Sequence, residues 1–233
     1  GGREGRGRRR TDGLPGRLTR NRVQCLDDFG IPLLLSHTVT RIHGNHRIEA
    51  VTIAAVDENR CPLPGTARTI ECDTLLLSVG RIPENELSRG VGIEISPVTN
   101  GPVVNQHMQT SVPAYFASGN VVHVNDLVDN VSTESEVAGR AAARYAKGEL
   151  PSATASILCT PGKNVRYICP QRIDLNDTEE EIGLYFRVAA PDRKAQITAS
   201  SGGQSLAAKR TVKVNPGEME CVRIKTGQLF ETV

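Results

Sequence analysis

Several residue types that mark particular classes of protein are scarce or missing in this sequence of 233 residues. There is no tryptophan, and aromatic residues make up only 3% of the chain. The six cysteines form no Cys-x-x-Cys pair, which argues against a zinc site and against a redox disulfide within the chain. No apolar run approaches the ~20 residues of a membrane span, and no signal peptide is visible. We therefore expect no membrane span, no metal site and a cytoplasmic protein with reduced thiols.

The balance of charge argues against proteins whose function depends on a large net charge, such as nucleic-acid-binding proteins. The net charge is +2, with 38% hydrophobic and 23% charged residues, so we expect no nucleic-acid partner. Residues 1–10 contain five arginines and four glycines, and nothing in residues 1–17 offers a core. We predict that this segment is disordered or a non-native start. An Arg/Gly run can also bind RNA, which remains a weaker alternative.

The next segment alternates between a helix and short strands. Leu18 to Phe29 has helical spacing, and Gly30 suits the end of that helix. Residues 31–36 predict a short buried strand, and residues 38–72 predict a three-stranded meander with a turn at Gly44. Residues 73–80 are almost all apolar and end on Gly80, which is typical of a parallel strand buried on both faces.

A strand, a tight turn and a helix are predicted between Thr110 and Tyr145. The run 115–117 is apolar but too short for a helix, so it predicts a strand. Gly119 allows a sharp turn or a close approach by a ligand. Ser132 or Thr133 can cap the helix, and a helix N-terminus is a ready site for an anion or a dipole.

Two motifs in this part of the chain resemble a known family. Thr-Ser-x-Pro-x-x-Phe-Ala-x-Gly-Asn, ending at Asn120, resembles the second flavin-binding motif of the glutathione and thioredoxin reductase-like flavoproteins. Gly80-Arg81-Ile82-Pro83 resembles the Gly-x-x-Pro return to the flavin domain, and the two motifs occur in family order. An ordinary strand-turn-helix of any α/β domain remains the alternative reading of the first motif.

The resemblance implies cofactors and contact residues. The cofactors would be FAD and NAD(P). In the family the glycine is followed by an acid that bonds the flavin ribityl chain, and here Asn120 stands in its place. The backbone N–H groups of Val131 and Ser132 would face the pyrimidine edge of the flavin, while Gly80, Pro83 and Gly119 would lie near the cofactor.

The phosphate-binding loops of that family are missing from this sequence. Neither of the two Gly-x-Gly-x-x-Gly loops is present, although each dinucleotide domain needs its own. We therefore interpret the chain as the C-terminal half of an FAD-dependent oxidoreductase that is inactive alone. Its expected partners are the missing N-terminal half or a partner subunit, and a small-molecule electron donor or acceptor.

The character of the sequence changes after Pro151. Short alternating segments separated by Gly and Pro turns predict a small antiparallel β domain. This tail resembles that of a subgroup of bacterial NAD(FAD)-dependent dehydrogenases. The predicted fold class is α/β, with partial three-layer FAD- and NAD(P)-binding domains followed by antiparallel β structure. The sequence predicts four segments. Residues 1–17 are the disordered or non-native start, and residues 18–83 are the C-terminal part of the NAD(P)-binding domain. Residues 84–150 are the C-terminal part of the FAD-binding domain, and residues 151–233 are the antiparallel β tail.

Three further side chains are candidates for chemistry near Asn120. His123 could face the flavin, although a lone histidine is more often a loop or core residue. Asp126 and Asp129 could act as acids, although solvated loop carboxylates are commoner. No catalytic residue is assigned, because hydride transfer is the chemistry of the flavin and the nicotinamide. The alternative function is a non-catalytic assembly module derived from such a flavoprotein.

Overall fold

A computed structural model describes residues 23–77, 80–152, 154–176 and 181–230. The chain divides into two compact units, residues 1–80 and residues 81–233. Predictions for residues 1–17, and for the start of the helix at Leu18, fall outside the described residues. The predicted domain boundaries after residues 83 and 150 stay predictions.

The first unit is built on the predicted meander. Three antiparallel strands lie in the order β1-β2-β3, with His37 opposite Ala55 and Ala50 opposite Glu71. The turn after β1 uses Gly44 at φ +107°, a backbone conformation that side chains rarely adopt. Central strand β2 supplies the buried residues of this sheet. The strands are β1 His37–His43, β2 Ala50–Ala55 and β3 Arg68–Glu71.

Neither of the two buried strands predicted for the first unit is present among the residues that the structure describes. Residues 31–36 and the described part of 73–80 have no strand structure. Most of their apolar side chains are exposed, with Leu76 at 88% and Leu77 at 71%, while Leu75 is half-buried. A strand buried on both faces needs neighbours on both edges, and β1-β2-β3 is the single sheet among the described residues of this unit. Gly30 does end a helical segment, at φ 63° after a 3-10 turn at Asp27–Phe29.

The second unit combines one long helix with antiparallel strands. Strand order is β10-β7-β5 in one sheet, while β4 pairs with β6 and β8 pairs with β9. Every pair is antiparallel, as the alternation after Pro151 predicts. The helices are α1 Glu86–Gly90, α2 Val128–Ala146 and α3 Thr226–Phe230. The strands are β4 Ser156–Leu158, β5 Val165–Cys169, β6 Arg172–Asp174, β7 Glu181–Val188, β8 Asp192–Ser201, β9 Gln204–Val214 and β10 Glu220–Lys225.

Apolar clusters hold the second unit together. The larger cluster lies within the β tail, residues 151–233, and centres on β7 and β10. The smaller joins Val104, Met108, Val122 and Ala138 to Cys169 of the tail. Hydrogen bonds also cross Pro151, for example from the Val104 N–H to the Gln171 side chain at 2.9 Å. Residues before and after Pro151 therefore share the smaller of the two clusters.

The molecule is mixed α/β with antiparallel sheets, and the three-layer arrangement stays a prediction. Among the described residues, no helix is both long enough and apolar enough to cross a membrane.

Candidate functional site

The segment that leads to the site is a turn followed by a single antiparallel bridge, so the strand predicted at residues 115–117 is shortened to that bridge. Phe116 alone pairs, with Gln109. Residues 112–115 form a turn, closed by the Tyr115 N–H on the Val112 carbonyl at 3.2 Å, with Ala114 at φ 68°. The Thr110 N–H on the Tyr115 carbonyl and the Ala117 N–H on the Met108 carbonyl, both at 2.9 Å, flank this bridge.

Gly119 makes the predicted tight turn. It opens a 3-10 turn, Gly119–Val121, at φ +68°, in the left-handed region that favours glycine. An added Cβ would also lie 3.0 Å from Cγ1 of Val131 on α2. Glycine is therefore required here both for backbone conformation and for the close approach of the helix.

Helix α2 begins about one and a half turns earlier than the hydroxyl residues Ser132 and Thr133 predicted. Its N-cap is Leu127, and no side chain caps it. Thr133 instead donates its hydroxyl to the Asp129 carbonyl at 2.9 Å, inside the helix, which corrects the predicted cap. Val131 and Ser132 lie where the first helical turn closes, so the unbonded N–H groups belong to residues 128–130. Contacts of Val131 and Ser132 with flavin stay predictions.

A buried carboxylate connects the turn to α2. Glu134, 3% exposed, accepts the Gly119 N–H on Oε2 at 2.9 Å. Its Oε1 lies 2.6 Å from Nε2 of His123, and Asn125 Nδ2 donates to Oε2 at 3.4 Å. Burying a carboxylate is costly unless it is paired and hydrogen-bonded, and here three donors converge on it. This Glu134 network fixes the turn to the helix.

The sequence held a signal for Glu134 that was missed. Glu134, Ala138 and Ala141 are the buried residues of α2 and share one helical face. A carboxylate on an otherwise small and apolar face indicates a buried partner. His123, read as a lone histidine, is that partner and is 1% exposed.

The Glu134 network reaches the β tail through His123. Its ring packs edge-on against Tyr167 of β5, with centroids 5.7 Å apart. Burial raises the pKa of Tyr167 to about 12, and nearby Arg187 lowers it in part. His123 Nδ1 and Asn125 Oδ1 are buried without a hydrogen-bond partner among the described residues.

Asn120 presents a polar group to solvent. It is exposed, and its Oδ1 accepts the Asn125 N–H at 2.9 Å. That bond orients the amide and leaves the Nδ2 donor for a ligand. Exposed apolar side chains flank it along the chain: Val121 at 37%, Leu127 at 48% and Val128 at 74%. An amide donor, apolar surface and a helix N-terminus suit a flat ligand with a polar edge.

The link, residues 120–127, is held from the tail. Asp126 is only 13% exposed, so it is a paired carboxylate and not a solvated loop acid. It accepts from Arg187 of β7 at 3.2 Å and from the Met219 N–H at 3.1 Å. Asp129 is exposed in the first turn of α2.

The remaining candidates, Gly80 and Pro83, lie in different units. Gly80, at φ +118°, is the last residue of the first unit, and Pro83 is buried in the second. Their cofactor contacts stay predictions. Within the described ranges, no group of three or more His, Cys, Asp or Glu residues is placed to hold a metal.

Comparisons with known proteins place this arrangement in a family. Residues 11–144 match the pyridine nucleotide-disulphide oxidoreductase family, a range that includes the turn, the link and most of α2. The mitochondrial dihydrolipoyl dehydrogenase of Caenorhabditis elegans is 33% identical over 47% of this chain and 21% of its own length. The NADH oxidase of Methanocaldococcus jannaschii is 30% identical over 52% of this chain and 24% of its own.

A solved structure, that of T. acidophilum thioredoxin reductase, aligns at 25% identity with a TM-score of 0.45. It covers 54% of this chain and 39% of that one. The chain thus spans less than a third of the length of the curated relatives named above. The family match covers more than half of the chain, which therefore belongs to the pyridine nucleotide-disulphide oxidoreductases, flavoproteins that depend on FAD and NAD(P).

Proposed function

We propose that this chain is the flavin-facing part of an FAD-dependent oxidoreductase. In this proposal, electrons pass between a pyridine nucleotide, the flavin and an external acceptor or a partner subunit. The observation that supports it best is the Gly119–Asn120 turn, which Glu134 bonds to α2 at 2.9 Å. The turn and the start of the helix thereby form one rigid ligand edge.

The residues present fit one edge of FAD. The Asn120 Nδ2 donor would hold a ribityl hydroxyl, since its Oδ1 is already bonded to Asn125. The free N–H groups at residues 128–130 would face the electron-rich pyrimidine edge. Leu127 and Val128, exposed and apolar, would exclude water from the ring. When bound, FAD supplies the hydride-accepting ring, while the chain binds and orients it.

The same residues do not fit the pyrophosphate of FAD. Backbone N–H groups of a glycine-rich loop normally hold that group, and this sequence has no such loop. We propose that the loops belong to an N-terminal segment or a partner subunit that associates with this chain. The exposed apolar residues of 31–35 and 76–77 support such an association, because exposed apolar stretches mark interaction surfaces.

Titration and co-purification test the proposal together. Isothermal titration of the isolated chain with FAD is expected to give weak binding or none, because only one edge of the site is present. The chain tagged and expressed in its native cell is expected to co-purify with yellow flavin absorbance and with a polypeptide that contains glycine loops. Tight stoichiometric binding by the isolated chain would overturn the proposed division of the site, and a colourless purified assembly would overturn the flavin function itself.

A second candidate is a non-catalytic assembly module derived from such a flavoprotein. The absence of both phosphate loops favours it. The two candidates separate in the same experiment, because the module would join a complex that lacks flavin.

A further inference from the structure

We propose that the β tail positions the link, and that Arg187 is the residue through which it acts. The inference rests on the proposed function, since the link carries Asn120. The tail lies outside the matched family range of 11–144, so the match itself gives this segment no role.

Arg187 bonds the link at two points. Its Nη2 donates to the Val124 carbonyl at 2.9 Å and to Oδ1 of Asp126 at 3.2 Å. Nη1 donates to the Pro216 carbonyl at 3.2 Å. The side chains of Arg187 and Asp126 are each 13% exposed, so this ion pair is largely shielded from solvent. Charge-assisted hydrogen bonds at such a site are stronger than those at the surface.

A second part of the tail holds Asp126 as well. The Met219 N–H donates to Oδ1 at 3.1 Å and to Oδ2 at 3.3 Å. Arg187 itself comes from β7, the central strand of the β10-β7-β5 sheet, where it lies opposite Tyr167 of β5. A planar guanidinium on a fixed strand has little freedom to follow a moving loop. The tail therefore sets where Val124 and Asp126 lie.

Asn125, between these two residues, transmits the constraint to Asn120. Its N–H donates to Asn120 Oδ1 at 2.9 Å, and this bond orients the amide that would meet the cofactor. The other end of the turn is fixed independently, by the Gly119 N–H on Glu134. Arg187 is thus a positioning residue, which acts on the ligand edge through Asp126 and Asn125 without touching a ligand.

Hydrogen exchange of single amides in the ligand-free chain tests the inference. Arg187→Met keeps the unbranched stem and removes the donors. We expect the Asn125 amide to exchange about tenfold faster, the fold-change that corresponds to ~1.4 kcal/mol. The Gly119 amide is expected to keep its rate, because Glu134 still accepts from it. Arg223→Met is the matched control, since Arg223 pairs with Glu181 within the tail and not with the link.

Two further variants guard against general loss of structure. Asp126→Asn keeps the size of the side chain but weakens the same bonds, so a smaller acceleration of Asn125 is expected. Arg187→Lys restores the charge and is expected to recover part of the protection. Equal exchange at Asn125 in Arg187→Met and the parent chain would overturn the inference. So would equal acceleration of Gly119 and the amides of β7, which would reveal a purely structural role.

Flavin binding supplies a separate readout. In the flavin-containing assembly, Arg187→Met is expected to raise the FAD dissociation constant about three- to tenfold. An unchanged constant would overturn the positioning role even if the amide results agree. An assembly that never carries flavin would instead contradict the proposed function, while the exchange rates still decide whether the tail holds the link.

Discussion

The two units differ in what their apolar and polar groups contact. In the first, β2 buries Val51 and Ile53, while Leu76 and Leu77 stand exposed a short distance along the chain. In the second, even polar residues are buried, and Oε1 of Glu134 lies 2.6 Å from Nε2 of His123. The first unit thus leaves apolar surface uncovered, whereas the second encloses polar groups in a bonded network.

The difference indicates which unit gains stability by binding another surface and which is stabilised by its own contacts. Exposed leucines gain free energy only when another surface covers them, so the first unit has stability to gain from association. The Glu134 network lies within the second unit: α2 supplies the accepting carboxylate, and the donors come from the turn and the link. We therefore expect substitutions in the second unit to report on its own fold, and the exposed stretches of the first to report on assembly.

The largest expected effect is on the Glu134 network. Glu134→Ala leaves His123 and the Gly119 N–H buried without their acceptor. A buried donor left without its acceptor costs about 1–3 kcal/mol. Because two donors lose theirs, we expect the free energy of unfolding of the second unit, measured by urea unfolding, to fall by roughly 2–6 kcal/mol. Glu136→Ala, exposed on the same helix, is the control and should stay within about 0.5 kcal/mol. Equal stability of both variants would show that the network contributes nothing.

A paired substitution tests the contrast within the first unit. Ile53→Ala removes a side chain that is 7% exposed in the central strand, and it should cost about 2–5 kcal/mol. Leu77→Ala removes one that is 71% exposed, and it should change the free energy of unfolding by less than about 0.5 kcal/mol. A large cost at Leu77 in the isolated chain would indicate the buried strand that the sequence predicts.

The cysteines provide a chemical version of the same comparison. Cys25 and Cys61 of the first unit are exposed, whereas Cys169 is buried. Burial raises the pKa of Cys159 from 9.0 to about 11, and it also raises the pKa of Cys169 well above its usual value. At a pH below both values, a two-unit rise leaves about a hundredfold less thiolate, the reactive form. Mass mapping after iodoacetamide should show Cys25 and Cys61 modified first, and early alkylation of Cys169 would contradict its burial.

The raised pKa of Cys159 also predicts a pH dependence of stability. The folded state keeps the thiol protonated up to about 11, whereas the unfolded chain loses the proton near 9.0. The native state therefore binds more protons between these values, and stability falls as pH rises through that window. Urea unfolding at pH 8, 9 and 10 should show the fall, and Cys159→Ala should make the curve flatter.

Local patterns predicted the parts of the fold that depend on neighbours in sequence. The β1-β2-β3 meander, the turn at Gly119 and the antiparallel tail follow from alternation and glycine placement. The strand predicted at residues 73–80 is absent from its described part, residues 73–77 and Gly80, because an apolar run does not specify whether a partner strand is available. The start of α2 was predicted too late because the hydroxyl residues suggested a cap. The N-cap residue is in fact Leu127, and no side chain caps the helix.

The candidate site was predictable only in part, for a related reason. Asn120 and the helix could be read from a motif. Arg187 and Asp126, which hold the link, are far apart in sequence and meet only because β7 brings them together. Pairings of this kind depend on tertiary packing, and no spacing rule in one sequence reveals them. The ordinary interpretation of Asp126 as a solvated acid failed for this reason.

The smallest expected effect, and the most direct test of the ligand edge, is at Asn120. Asn120→Leu removes the free Nδ2 donor and the Oδ1 that accepts the Asn125 N–H. A lost neutral hydrogen bond is worth about 0.5–1.5 kcal/mol, so the FAD dissociation constant of the assembled protein should rise roughly three- to tenfold. Asn120→Asp keeps an acceptor for the Asn125 N–H and restores the acid that stands at this position in the flavoproteins that the motif resembles, so it should retain most of the affinity for FAD.

The leucine variant should also lose stability. Because it leaves the Asn125 N–H unpaired, its free energy of unfolding should drop by about 1 kcal/mol. Flavin content and dissociation constants that stay unchanged in Asn120→Leu would remove Asn120 from the site and leave the turn with a structural role only.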